Sequence, residues 1–205
     1  MPDLLGGLEY TWPIYACAVI AYLLGSIPFG LIITRVAGLG DVRKIGSGNI
    51  GATNVLRTGR KELAALTLLL DTAKGAAAVL LAFDFGGPDY MVVAAVAAMV
   101  GHMYPIWLRF KGGKGIATGL GVILGISWPA GLAGFGTWLI IVAATRYVSP
   151  ASVIAAILSV AYVWYFTHDM QYTQAIGVLA LLTLFKHRMN MVRLVRGEEP
   201  KIGKS

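Results

Sequence analysis

The sequence predicts an all-α, polytopic integral membrane protein of about seven transmembrane helices, two of them short, with the N-terminus outside and the C-terminus cytoplasmic. Two observations carry that expectation. The 205 residues are 57% hydrophobic and 13% charged, with a mean hydropathy of +0.72, and the apolar runs are too long for a soluble core. The 17 Lys and Arg residues can also all be placed on one side of a bilayer, or within it at that end.

Taken in order, apolar runs cover Trp12–Ala37, Leu63–Phe83, Tyr90–Leu108, Ser149–Phe166 and Tyr172–Phe185. Each approaches the roughly 20 residues that cross a hydrocarbon core of about 30 Å as a helix. Residues 115–145 would form a single helix of about 46 Å, too long for one upright span. Charge settles how to divide them. Asp3 and Glu9 mark an outside N-terminus, and Asp84 and Asp89 an outside loop. Arg43, Lys44, Arg57, Arg60 and Lys61 read as inside, as do Arg109, Lys111 and Lys114, then Arg146 and the basic tail from Lys186. Opposite termini require an odd number of crossings. A break at Ser127-Trp128-Pro129 supplies the seventh, giving two halves of roughly 13–15 residues; five spans with a re-entrant pair have the same parity.

The N-terminus has no basic n-region and the first apolar run is too long for an h-region, so no cleaved signal peptide is expected. Cys17, in a span, reads as an apolar filler. The +7 charge follows from topology, without a basic soluble domain to grip a duplex, so no nucleic acid is expected. The whole chain, residues 1–205, reads as a single membrane-embedded domain.

Three polar segments fall on the inside. The first, Asp41 to Arg57, holds Gly46, Gly48 and Gly51 in a G-x-G-x-x-G pattern, but a membrane helix precedes it and the dinucleotide reading fails. Close glycines can turn successive N–H groups toward an anion. Ser47, Asn49, Thr53 and Asn54 add donors, and Arg57 adds a planar fork for phosphate. In the second segment, Gly112-Gly113-Lys114-Gly115 lacks Walker A spacing yet leads into a helix whose N-terminus favours an anion. Gly115/Gly119 and Gly121/Gly125 have the four-residue spacing of close helix contacts. In the third, His187 and Asn190 share one helix face. Asp71 and Lys74, three apart within a span, are expected to neutralise each other beside the site, with His102 nearby. His168 and Asp169 read as a solvated loop, and Trp12, Tyr90, Trp107 and Trp128 as an interfacial belt.

Metal-ligand spacings are missing and the inside acids Asp41, Glu62, Asp71, Glu198 and Glu199 are scattered, so neither a metal nor a cofactor is expected. The H-x4-D pattern of coenzyme-A-type acyltransferases is also lacking: Trp107 and Val192 stand five residues after His102 and His187.

Gly25-Ser-Ile-Pro28-Phe-Gly30, the stretch Asp41 to Arg57, Asp71-x-x-Lys74-Gly75, His102-x-x-Pro105, Phe110-Lys-Gly-Gly-Lys-Gly115 and His187-Arg-x-Asn190 together resemble the acyl-phosphate-dependent glycerol-3-phosphate acyltransferases of bacteria (PlsY). The resemblance implies a seven-span enzyme of the bacterial inner membrane, its active site facing the cytoplasm. It would move an acyl group from acyl phosphate to the sn-1 hydroxyl of glycerol 3-phosphate, giving lysophosphatidic acid and phosphate. On this reading Ser47, Arg57 and Lys114 hold the phosphate of glycerol 3-phosphate, while His187 and Asn190 orient its glycerol. Gly48, Asn49, Gly51, Thr53, Asn54, Gly112 and Gly113 hold the acyl-phosphate head. Ser47, His187 and Asn190 form the catalytic set. The donor's own phosphate is the preferred proton acceptor, His187 the second, and a Ser47 acyl-enzyme a third route. The expected partners are the two substrates and membrane lipid, with a soluble acyl-phosphate-producing enzyme left open. A transporter of small phosphorylated anions is the competing class; it would spread polar residues along several spans.

Overall fold

A computed structural model of the chain describes residues 7–202, and every regular element among them is helical. The helices are α1 Leu8–Gly25, α2 Phe29–Val36, α3 Ala52–Leu56, α4 Lys61–Gly86, α5 Pro88–Met103, α6 Ile116–Ile126, α7 Trp128–Thr145, α8 Val148–Thr167 and α9 Met170–Val195. Six segments are long and apolar enough to cross a membrane, and the 11-residue α6 is a seventh, short apolar helix. The chain divides after Ile126 into two compact units.

In the first unit α4 packs against α5 and α6, α1 packs against α5, and the short α2 and α3 lie against α4. The core between α1, α4 and α5 is small-residue packing: Ala21, Ala78, Ala82, Ala94 and Ala98 are buried. Small side chains let helix backbones approach closely where lipid offers no hydrophobic driving force. A second core of Leu31, Val42, Ile50, Val55 and Ala64 seats the loop after α2 on the start of α4. In the second unit α7, α8 and α9 pack in chain order. His168, in the left-handed conformation, ends α8, and the Asp169 carboxylate accepts the Tyr172 N–H at 3.0 Å as the cap of α9. His168 and Asp169 thus lie in the expected solvated loop, and the same two residues end one helix and cap the next.

The predicted break at Ser127 is present, since Ser127 is extended and Pro129 falls in the first turn of α7, where no N–H is needed. The expectation of two short halves is corrected. α6 has 11 residues and α7 has 18. Gly115, at φ +86°, stands outside α6 and shortens it, while the break falls ahead of the segment's midpoint and lengthens α7. Two further boundaries differ. The first apolar run is interrupted at Ser26–Pro28 between α1 and α2, and α9 runs on past Phe185 to Val195, carrying His187 and Asn190 on a regular helix.

Candidate active site

The loop between α2 and α3 is held from within by one side chain. Asn54 is buried, and its amide nitrogen donates to the carbonyls of Val42 at 2.8 Å, Ile45 at 3.1 Å and Asn49 at 2.8 Å. Its Oδ1 accepts from the Ser47 N–H at 3.1 Å, the Ser47 hydroxyl at 3.4 Å and Arg57 Nη1 at 3.5 Å. Asn54 is thus a brace, and its expected role as a ligand donor is corrected: the amide hydrogens that would face a ligand are engaged by loop carbonyls. The nest of N–H groups needs the same correction, because the Ser47 N–H is held by Asn54 and the Gly48 N–H by the Ile45 carbonyl at 3.0 Å. What the brace achieves is a pairing. It brings Ser47 and Arg57, both exposed, to a single oxygen atom. Gly46, at φ +52°, is needed there, since a Cβ would lie 2.6 Å from Arg57 and Asn54 side-chain atoms. Asn49 Oδ1 accepts the Ile50 N–H at 2.9 Å, while Thr53 is exposed on α3. At the loop's start Asp41 is gripped by Arg43, Nη2 at 2.5 Å and Nε at 2.9 Å, and by Arg35 at 3.3 Å. The Arg43 hydrogen bond above all holds the Asp41 carboxyl well below the usual carboxylate range.

The second glycine segment is fastened to the end of α5. The Gly112 N–H donates to the Met103 carbonyl at 3.2 Å and the Gly113 N–H to the His102 carbonyl at 3.0 Å. Neither glycine could carry a Cβ, which would overlap the His102 carbonyl at Gly112 and the His102 ring at Gly113. With those two N–H groups engaged, the first-turn N–H groups of α6, which lack intrahelical acceptors, face the loop, and the half-buried Lys114 stands just ahead of them. Of the paired small residues, Gly121 and Gly125 do face α4, Gly119 meets Met99 of α5, and Gly115 lies before the helix. Beneath this loop the expected ion pair is present: Lys74 Nζ lies 2.6 Å from Asp71 Oδ1, with both side chains buried.

The second unit carries its own polar cluster. His187 and Asn190 are buried on α9. His187 Nδ1 is 2.9 Å from the Thr183 carbonyl, which can only accept, so Nδ1 carries a hydrogen and the ring is held by its own helix. Asn190 Nδ2 donates to Glu199 Oε1 at 2.7 Å, the Ser149 hydroxyl donates to the same oxygen, and Arg193 Nε donates to Oε2 at 3.0 Å. Burial of Glu199 pushes its carboxyl up, but the hydrogen bonds from Ser149, Asn190 and Arg193 outweigh this and the net direction is down. Glu199 was not among the expected site residues. The available signal was a pair of acids, Glu198 and Glu199, in an otherwise basic tail just beyond the end of α9.

Fold and loops together define a class: a helical integral membrane protein whose polar chemistry gathers in glycine-built loops, at one helix end and at a buried ion pair beneath the second loop. The family model described as glycerol-3-phosphate acyltransferase matches residues 15–197. A glycerol-3-phosphate acyltransferase of Rhodopseudomonas palustris (strain BisB5) is 53% identical over 188 residues, covering 92% of this chain and 95% of the relative. One from Paramagnetospirillum magneticum is also 53% identical, covering 92% and 93%. The crystal structure of PlsY, an integral membrane glycerol 3-phosphate acyltransferase, in its glycerol 3-phosphate form superposes with a TM-score of 0.88 at 38% identity, covering 93% of this chain and 96% of that one. Its lysophosphatidic acid form gives 0.87 at 37%. The chain belongs to the glycerol-3-phosphate acyltransferase family.

Proposed function

We propose that this enzyme takes its acyl group from acyl phosphate and passes it to the sn-1 hydroxyl of glycerol 3-phosphate, releasing lysophosphatidic acid and phosphate. The observation that carries this reading is the Asn54-braced pair of Ser47 and Arg57, an exposed hydroxyl and an exposed guanidinium meeting at one atom in a family whose acceptor is a phosphate ester. A guanidinium fork with an adjacent hydroxyl suits a tetrahedral phosphate. Ser47, Arg57 and Lys114 bind the acceptor's phosphate; His187 and Asn190 contact its glycerol. Gly48, Asn49, Gly51, Thr53, Gly112 and Gly113 shape the place of the donor's head, with Asn54 bracing the first of the two loops. The two units act as one acyltransferase domain in the bacterial inner membrane. Their polar loops and the C-terminus face the cytoplasm, where a phosphorylated acceptor is available, and the N-terminus faces outward.

The acceptor oxygen attacks the acyl carbonyl carbon, the bond from that carbon to the phosphate oxygen breaks, and the hydroxyl proton goes to the departing phosphate. An acyl phosphate is already activated, so positioning carries most of the barrier reduction, of the order of 7–11 kcal/mol for well-aligned reactants. Donors near the developing oxyanion add about 2.7–4 kcal/mol each. His187, whose Nδ1 is tied to the Thr183 carbonyl, is the second candidate for the proton, through Nε2. Purified enzyme given radiolabelled glycerol 3-phosphate yields an extractable lipid with acyl phosphate and none with acyl-coenzyme A; product from the coenzyme A ester alone overturns the donor assignment. Impermeant thiol labelling of single cysteines at the exposed positions 47, 111 and 188 should succeed from the cytoplasmic side and fail from the periplasmic side, and periplasmic labelling of any one reverses the orientation.

A further inference from the structure

Three buried polar side chains have no part in the transfer just described, yet they form a line through the first unit. At its centre Asp71 and Lys74 are paired at 2.6 Å, with side chains 3% and 1% exposed. On one side Lys74 Nζ also donates to the Ile27 carbonyl at 2.7 Å, in the gap between α1 and α2, and lies 5.6 Å from the Phe29 ring centre. On the other side His102 Nδ1 stands 3.8 Å from Asp71 Oδ1. The imidazole, itself 3% exposed, runs from there to Gly113, where a Cβ would collide with Nε2, while the Gly113 N–H is held by the His102 carbonyl. The ring therefore fills the distance between a buried carboxylate and the backbone of the second glycine loop.

We propose that His102 is a positioning residue, a spacer through which the Asp71–Lys74 pair fixes the place of the Gly112–Gly113–Lys114 loop and so its hold on a phosphate. This rests on the reading of that loop as phosphate-binding. Asp71 is anchored by Lys74, Lys74 by the Ile27 carbonyl, and a charge so shielded from water acts strongly on the ring dipole beside it. The ring cannot recede without leaving that field, and cannot advance without striking Gly113. Its position sets the height of the loop backbone, and with it the ammonium of Lys114 and the first N–H groups of α6.

The test is steady-state kinetics with both substrates, and thermal unfolding, on His102→Ala, His102→Gln, Gly113→Ala and His102→Ala/Gly113→Ala in detergent. His102→Ala is expected to raise KM for a phosphate-bearing substrate about tenfold, with kcat falling less than about threefold. His102→Gln, which can span the same gap, restores most of the KM. Gly113→Ala raises KM alone but costs several-fold less in the His102→Ala background, because the atom it strikes is gone. A loss confined to kcat, additive effects of the two substitutions, or a glutamine variant no better than alanine overturns the proposal. Failure of both His102 variants to fold does so too, since the histidine is then only a core residue. Lys114→Ala separates the two levels: if it leaves the KM of both substrates unchanged, the phosphate reading of the loop is what has failed.

Discussion

The two units of this enzyme solve one problem, packing helices in lipid, by different means. In the first, backbones touch through reciprocal glycines. Gly25 of α1 lies against the Ala98 carbonyl of α5, and Gly101 of α5 against the Tyr22 carbonyl of α1. The same exchange joins α4 and α6, with Gly75 on the Thr118 carbonyl and Gly121 on the Thr72 carbonyl. In the second unit a Cβ at Gly136 or Gly177 would meet nothing within 4 Å. There the helices are joined by side chains, with Thr137 to Tyr162 at 2.9 Å and Trp138 Nε1 to Ser152 at 3.1 Å. Backbone contacts have no rotamers to relax, so the first unit can hold its glycine loops to a fixed geometry. Side-chain contacts adapt, and the second unit gathers its buried polar contacts at Glu199.

The comparison can be broken most severely at the buried pair. Asp71→Asn leaves the Lys74 ammonium without its counter-charge and should destabilise the first unit by about 3–5 kcal/mol, read as a large fall in Tm or in recovered folded protein. Survival of the variant at wild-type Tm would show that the pair is not structural. Next come the glycines. Gly121→Ala forces a methyl group onto a carbonyl and should cost about 1–3 kcal/mol. Gly177→Ala enters open space and, by helix propensity, should stabilise by up to about 1 kcal/mol. Equal effects from the two would erase the distinction between the units. The smallest expected effect depends on pH. The folded-state Glu199 carboxyl lies below its ordinary 4.5. Its contribution is therefore complete above that pH and is lost as pH falls through the lower folded value. Glu199→Gln should flatten the acid limb of thermal stability as pH falls below 4.5, and an unchanged limb would assign acid lability elsewhere.

Much of this architecture could be read from the chain because it depends on local pattern. The run lengths gave the spans, Ser127-Trp128-Pro129 gave the interruption, and the three-residue spacing of Asp71 and Lys74 gave their pairing. What stayed hidden depends on partners far away. The gap at Ser26–Pro28 lies in an unbroken apolar run, and the groups that satisfy it are Lys74, 47 residues on, and Trp107, 81 residues on. Trp107 therefore does more than sit in an aromatic belt: its indole N–H donates to Ser26 Oγ at 2.7 Å. Asn54 looked like one more donor in a polar loop, because composition cannot distinguish an amide facing a ligand from one facing three carbonyls. Glu199 sat beside Glu198 in a basic tail, where two adjacent acids give no hint which of them turns inward.

The gap in the first span bears on how the protein is put into its membrane. Chain order delivers α1 and α2 to the bilayer before the lysine and the indole that satisfy the turn between them have been synthesised. The Ile27 oxygen accepts from the nearby Phe29 N–H at 3.1 Å, but its second hydrogen bond waits for Lys74 of α4, and that of Ser26 for Trp107, which follows α5. The turn inside the first apolar run thus receives its last hydrogen bonds from later parts of the same polypeptide.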